Sequence, residues 1–141
     1  MDFKIREASY EDEEPLLRAI RFEVFVDEQG VPPAIEMDER DPHCTHLLAF
    51  DAETAVATAR IDLVLDGKVG RLAVRAGWRG RRIGRALMQR CQEIAQARGL
   101  DSVWCNAQVT AVPFYESLGY VIEGEPFVEA GIDHRRMRKR L

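Results

Sequence analysis

Between Arg71 and Leu87 the chain sets six arginines around three glycines: Arg71, Arg75, Arg79, Arg81, Arg82 and Arg85, with Gly77, Gly80 and Gly84 between them. Such a stretch can bind an anion. A strand running to Val74 enters a glycine- and arginine-rich bend, and the bend opens into an amphipathic helix. The first amide groups of a helix have no intrahelical acceptor, and the helix dipole makes that end positive. Gly80 and Gly84 let the backbone approach a diphosphate, and guanidinium groups nearby can form forked hydrogen bonds to it. A helical wheel places Arg81, Arg85 and Gln89 near one another. The bend is not a dinucleotide fingerprint, because G-x-G-x-x-G is absent, and it is not a nucleotide P-loop, because G-x-x-x-x-G-K-[ST] is absent.

Charge along the whole chain points to the same place. Residues 1–66 carry 6 basic and 17 acidic groups, whereas residues 67–141 carry 14 basic and 7 acidic groups, within an overall net charge of −4. Residues 68–98 alone hold nine Lys or Arg against the single acid Glu93. An anionic ligand is expected near the middle of the chain.

The elements that must position this bend read as β-α-β-β-β-α-β-α-β-β. Phe3–Glu7 reads as a strand, and Glu11 to about Val26 as a helix, from the spacing of Leu16, Leu17, Ile20, Val24 and Phe25. Gly30-Val31-Pro32-Pro33 stops it, and an acidic irregular stretch runs to Asp41. Leu47–Phe50 reads as a strand. Ala55–Leu65 and Lys68–Val74 flank Asp66-Gly67, the signal of a two-residue antiparallel hairpin. Arg82–Arg98 is a helix with Ile83, Leu87, Cys91 and Ile94 on one stripe, stopped by Gly99. Ser102–Asn106, Ala111–Leu118, Tyr120–Ile122 and Asp133–Lys139 complete the order as strand, helix, strand and strand. This is an α/β fold with a mixed central sheet, and it is not the doubly wound nucleotide fold.

At 141 residues, 46% hydrophobic and 31% charged, the chain is expected to form one globular domain over 1–141. No apolar run reaches membrane-spanning length, and Met1-Asp2-Phe3-Lys4-Ile5-Arg6 lacks a secretion-signal core, so a cytoplasmic location without membrane partners is expected. Cys44, Cys91 and Cys105 form no C-x-x-C pair. His43, Cys44 and His46 lack a second ligand cluster, so no metal is expected. The Arg135–Arg140 run has no interleaved aromatics and no nucleic-acid signature accompanies it, so no nucleic-acid partner is expected. A homodimer is the general prior for a soluble chain, and the sequence does not decide it.

Arg79 to Gly84 resembles the acyl-CoA signature R/Q-x-x-G-x-G/A of the GNAT superfamily of N-acyltransferases, with Arg82 in place of the middle glycine. Asn106-Ala107-Gln108, followed by Pro113-Phe114-Tyr115-Glu116-Ser117-Leu118-Gly119-Tyr120, is similar to that superfamily's second signature. Phe22 to Pro32, Glu36 to Asp41 and Gly131-Ile132-Asp133-His134 resemble the ElaA-type branch.

The resemblance implies a mostly antiparallel GNAT-like sheet with helices on both faces, and an N-acetyltransferase that uses acetyl-CoA as acyl-donor cosubstrate. It implies a fourth and a fifth strand that splay apart, with the backbone of Leu72, Ala73 and Val74 pairing with pantetheine. Arg79, Gly80, Arg81, Arg82, Ile83, Gly84 and Arg85 would hold the pyrophosphate, and Asn106 and Phe114 would contact the pantetheine arm. Tyr115 would be the general acid that protonates the departing thiolate, since a phenol near pKa 10 and a thiol near about 8.5 are close enough for useful transfer. On the acceptor side the residues considered are Glu28, Asp38, Glu39 and His46, with Asp41, in an acidic mouth that attracts a cationic amine. His134 reads as a strand residue beside Arg135 and Arg136 rather than as a base. A non-catalytic acyl-CoA sensor with the same fold is the alternative.

Overall fold

A computed structural model describes residues 3–141; Met1 and Asp2, part of the amino-terminal segment read above, lie outside the described residues. Strands β1 (Phe3–Ala8), β2 (Thr45–Asp51), β3 (Thr54–Asp62), β4 (Lys68–Val74), β5 (Ser102–Gln108), β6 (Val121–Glu129) and β7 (Ile132–Arg140) form a single sheet in the order β1-β2-β3-β4-β5-β7-β6. All neighbours are antiparallel except β4 and β5. Helices α1 (Tyr10–Arg21), α2 (Pro33–Glu36), α3 (Ile83–Ala97) and α4 (Val112–Ser117) are distributed over its two faces.

Strand β3 is central, and its residues Ala55–Asp62 are all buried, as a strand covered on both faces must be. On one face, Leu47, Ala49, Val56 and Ile61 pack with Ile83, Leu87, Met88 and Cys91 of α3. On the other, Leu17 and Ile20 of α1 pack with Leu48, Ala55 and Ala73. Helix α1 starts where Ser9 Oγ accepts the Asp12 amide at 3.3 Å and Glu13 accepts the Ser9 amide at 3.1 Å, which satisfies two groups at the helix start. Among the described residues, no helix is long and apolar enough to cross a membrane.

Three local readings of the sequence are corrected. The first helix does not continue as α to Val26: it leaves the α register at Phe22, and a wider π-type turn spans Phe22–Glu28. Pro33, expected only to break helix, opens the one-turn α2, where its missing N–H costs nothing. The hairpin is wider than two residues, because β3 ends at Asp62 opposite Lys68 and residues 63–67 form the connection. Asp62 accounts for the early turn: its carboxylate accepts the Leu65 amide at 3.2 Å and its carbonyl accepts the Gly67 amide at 3.1 Å. Asp66 and Gly67 still take positive φ, at 58° and 80°.

The Arg135–Arg140 run lies within β7. Arg136 packs over the Trp104 ring at 4.0 Å, and both Arg136 and Arg138 bond to Glu123 of β6. Those arginines brace the neighbouring strands.

Candidate active site

Strands β4 and β5 pair at one register point, Lys68 with Trp104, and the Trp104 amide donates to the Gly67 carbonyl at 3.1 Å. Beyond that point they separate. Arg71 sits in β4 with φ 49°, at a shift in the pairing with β3, so the strand's free edge is kinked where the gap opens. The resulting cleft has a volume of about 460 Å³. Leu72 of β4, Asn106 of β5, and Phe114 and Tyr115 of α4 line it.

At one end of β4 the chain passes through the glycine–arginine bend into α3. Gly80 has φ 78° and Arg82 φ 64°, so two left-handed residues turn the backbone before Ile83. No side chain caps α3, and its first amides lack intrahelical partners. Among the described residues, Arg81 and Arg82 have no acidic partner, and Arg85 donates to Ser117 Oγ at 3.2 Å. A Cβ added at Gly84 would lie 3.6 Å from Phe114 Cζ and 3.8 Å from Leu72 Cδ2, ordinary contacts that put this glycine against cleft-lining side chains. The positive φ of Arg82 gives a physical reason for a glycine at the middle position of the acyl-CoA signature: only glycine adopts that conformation without Cβ strain.

A matching family, described as Acetyltransferase (GNAT) domain, covers residues 6–141. The chain belongs to the GNAT acetyltransferases. The uncharacterized N-acetyltransferase YjcF of Bacillus subtilis is 36% identical over 122 residues, covering 85% of this chain and 87% of YjcF. ElaA of Escherichia coli is 31% identical over 131 residues, covering 89% of this chain and 86% of ElaA, which supports the ElaA-type branch. The crystal structure of E. coli ElaA superposes with a TM-score of 0.85 over 97% of this chain and 99% of that one, at 27% identity. An acyl-CoA N-acyltransferase from Pseudomonas aeruginosa superposes with a TM-score of 0.86 at 30% identity, covering 97% and 99% of the two chains.

Within this acetyltransferase, the residues considered for the donor side fall into two groups. Leu72, Asn106, Phe114 and Tyr115 line the cleft, and Gly80 to Arg85 form the bend beside it. Ala73 instead turns its side chain into the α1 core, and the Val74 carbonyl is taken by Arg79 Nε at 2.8 Å. The Arg79 guanidinium makes a two-pronged bond to Glu28 at 2.9 and 2.7 Å, so it is held by protein in this state.

On the acceptor side, Asp38 alone of the five residues considered lines the cleft. Glu28 is the partner of Arg79. Glu39 is exposed and does not line the cleft. His46 is buried elsewhere, stacked on Tyr10, with Nε2 donating to the Asp41 carbonyl at 2.8 Å.

The open acidic mouth is also corrected. Glu36, Asp38 and Asp41 belong to a neutralised network: Arg21 bonds Glu36 at 2.9 Å and Asp41 at 2.8 Å, and Arg60 bonds Asp38 at 2.8 Å and Asp41 at 2.7 Å. Arg71 reaches Glu36 at 3.0 Å and Asp38 at 3.2 Å, and Arg40 bonds Asp62 at 2.8 Å. Burial alone would raise the Asp38 carboxyl, but the hydrogen bond and charge of Arg60, with Arg71, bring it down to about 2. Burial raises the Glu36 carboxyl despite its two arginines.

Tyr115 is 7% exposed and meets Phe114 and Tyr120 edge to face, with ring centroids 5.1 and 5.4 Å away. Burial pushes its phenol well above its ordinary pKa, with small additions from Cys105, Tyr120 and Cys91. The ring therefore stays protonated at neutral pH. Burial likewise pushes the Cys44 thiol up to about 11 and those of Cys91 and Cys105 up to about 12, which leaves no thiolate nucleophile at neutral pH.

His134, read from the sequence as a strand residue rather than a base, does lie in a strand, but it lines the cleft and is 6% exposed. The signal for its place in the cleft is the Ala130-Gly131 turn that leads into β7, since Ala130 and Ile132 line the cleft too.

Proposed function

We propose that residues 1–141 act as one catalytic domain that transfers an acetyl group from acetyl-CoA to a primary amine, by direct attack in a ternary complex. One observation carries this reading: the cleft opened by the parting of β4 and β5 runs beside the uncapped start of α3, and Tyr115 stands on its wall. A long ligand with a diphosphate at one end and a thioester at the other suits that layout. The acyl-CoA N-acyltransferase of P. aeruginosa, 30% identical, supports the choice of donor.

In this reading the amides of Arg81 to Arg85 and the guanidinium groups of Arg81, Arg82 and Arg85 hold the diphosphate. Arg79 joins them by exchanging its Glu28 partner for phosphate. The free edge of β4 near Leu72 pairs with the pantetheine amides as an added strand would, and Asn106 and Phe114 flank the arm. The bound thioester supplies an acyl carbon open to attack by the amine. Tyr115, still protonated, gives its proton to sulfur as the carbon–sulfur bond breaks. The raised thiol groups of the three cysteines favour direct transfer over an acyl-enzyme.

The test is thiol release from acetyl-CoA with a panel of amines. Tyr115→Phe is expected to lower kcat by about 100-fold or more while acetyl-CoA affinity changes little. An unchanged kcat would remove Tyr115 from the chemistry, and no thiol release with any amine would remove the transfer reading.

A further inference from the structure

His134 reaches the cleft from β7, opposite Gln108 of β5 and Phe127 of β6 in the sheet register. Its ring is held on two sides. Nδ1 lies 2.7 Å from the Ile132 carbonyl, and the Phe127 ring stacks at 5.6 Å with an interplanar angle of 23°. A carbonyl oxygen only accepts hydrogen bonds, so Nδ1 carries the hydrogen. In the neutral ring, Nε2 then presents its lone pair. The nearest acid, Glu129 Oε2, is 3.7 Å from Nε2, beyond hydrogen-bond distance.

The other candidates for a proton acceptor are engaged. Asp38 is gripped by Arg60 and Arg71, and Glu36 by Arg21 and Arg71. Glu28 and His46 lie outside the cleft. Of the charged groups that share the cleft with His134, Arg60 and Arg71 are matched by Glu36 and Asp38. Asp62 is matched by Arg40, which leaves Lys68 and Glu129.

We propose that His134 is the general base of the transfer, with Nε2 taking the proton of the attacking amine and Glu129 positioned to stabilise the charged ring. This rests on the acyl-transfer reading above. The amine enters uncharged and its nitrogen bonds to the acyl carbon. His134 Nε2 takes the N–H proton of the adduct, the carbon–sulfur bond breaks, and sulfur takes the Tyr115 proton. The proton held by His134 then returns to the Tyr115 oxygen through solvent, which restores both residues. An imidazole suits the task because the unprotonated ring nitrogen presents a lone pair that can take a proton.

The experiment measures thiol release from acetyl-CoA across pH, with benzylamine, putrescine and glycine amide as acceptors. The wild-type chain is compared with His134→Gln, His134→Ala and Glu129→Gln. His134→Gln is expected to lose at least ~100-fold in kcat and the acid limb of the pH profile, with the acetyl-CoA KM within about twofold. Added imidazole is expected to restore part of the His134→Ala rate, which a purely structural role would not allow. Glu129→Gln, at a half-exposed position where the fold should survive even if the His134 variants do not fold, is expected to lower kcat several-fold with the acetyl-CoA KM unchanged. Wild-type kcat and an intact acid limb in His134→Gln would overturn the proposal. So would nitrogen NMR of the wild-type ring that finds the neutral tautomer protonated at Nε2, a result independent of turnover. A chain that releases no thiol and binds no coenzyme A fails the transfer reading instead, and the ring spectrum distinguishes the two failures.

Discussion

The two arginine-rich regions of this chain use the same side chain in opposite ways. In and behind the wall of the cleft, Arg60 and Arg71, which line it, and Arg21 and Arg40, which do not, each face carboxylates from distant elements, and Arg21 is completely buried. In the bend before α3, Arg81 and Arg82 are exposed and have no acidic partner among the described residues. A guanidinium matched inside the protein holds elements together, whereas an unmatched one beside uncapped helix amides is available to a ligand. The difference teaches where the two kinds of damage should appear: stability in the wall, coenzyme affinity in the bend.

The strongest way to break the comparison is Arg21→Met. It leaves Glu36 and Asp41 buried and short of a partner, and a loss of about 3–5 kcal/mol is expected by chemical denaturation. If stability is unchanged, the wall arginines are not the fastening argued here. Next comes the double substitution Arg81→Ala with Arg85→Ala. It should weaken coenzyme A binding by roughly 2–3 kcal/mol while the melting temperature stays within a few degrees. A large drop in melting temperature would place the bend with the wall.

A smaller effect of opposite sign sharpens the contrast. Arg82 adopts a left-handed conformation, so Arg82→Gly should stabilise the free protein by about 1 kcal/mol even as it removes a ligand-facing charge. Destabilisation would mean that the Arg82 side chain supports the fold. The smallest effect appears only in acid. Asp38 has its carboxyl lowered from 3.8 to about 2 in the fold, so its contribution is present above the unfolded value and is lost as pH falls through the folded one. Asp38→Asn should therefore flatten the decline of melting temperature between about pH 4 and 2. An identical slope in both proteins would show that Arg60 and Arg71 do not hold Asp38 ionised.

The sequence made the bend legible because its parts are contiguous: glycines, arginines and the α3 stripe fall within one strand–turn–helix. Helix α3 is readable for the same reason, since Ile83, Leu87 and Cys91 repeat at local spacing and are buried as expected, whereas β6, expected only over Tyr120–Ile122, runs Val121–Glu129. The wall was not legible. Arg21 meets Asp41 twenty residues on, and Arg71 meets Glu36 thirty-five residues back, so the run of acids reads as an open mouth although Glu36, Asp38 and Asp41 have distant partners. The π-type turn was hidden because Val24 and Phe25 continue an apolar pattern that an α-helix also explains. His134 was obscured by its basic neighbours: strand alternation turns it into the cleft, while Arg135 donates to the Gly124 carbonyl.

Calorimetric titration with coenzyme A, set beside pantetheine, which lacks the diphosphate, bears most directly on the claim that the bend grips that group. Saturable binding of coenzyme A is expected, at least about tenfold tighter than pantetheine, with the margin removed by Arg81→Ala and Arg85→Ala together. Equal affinity for the two compounds, or no binding of either by folded protein, would contradict the account.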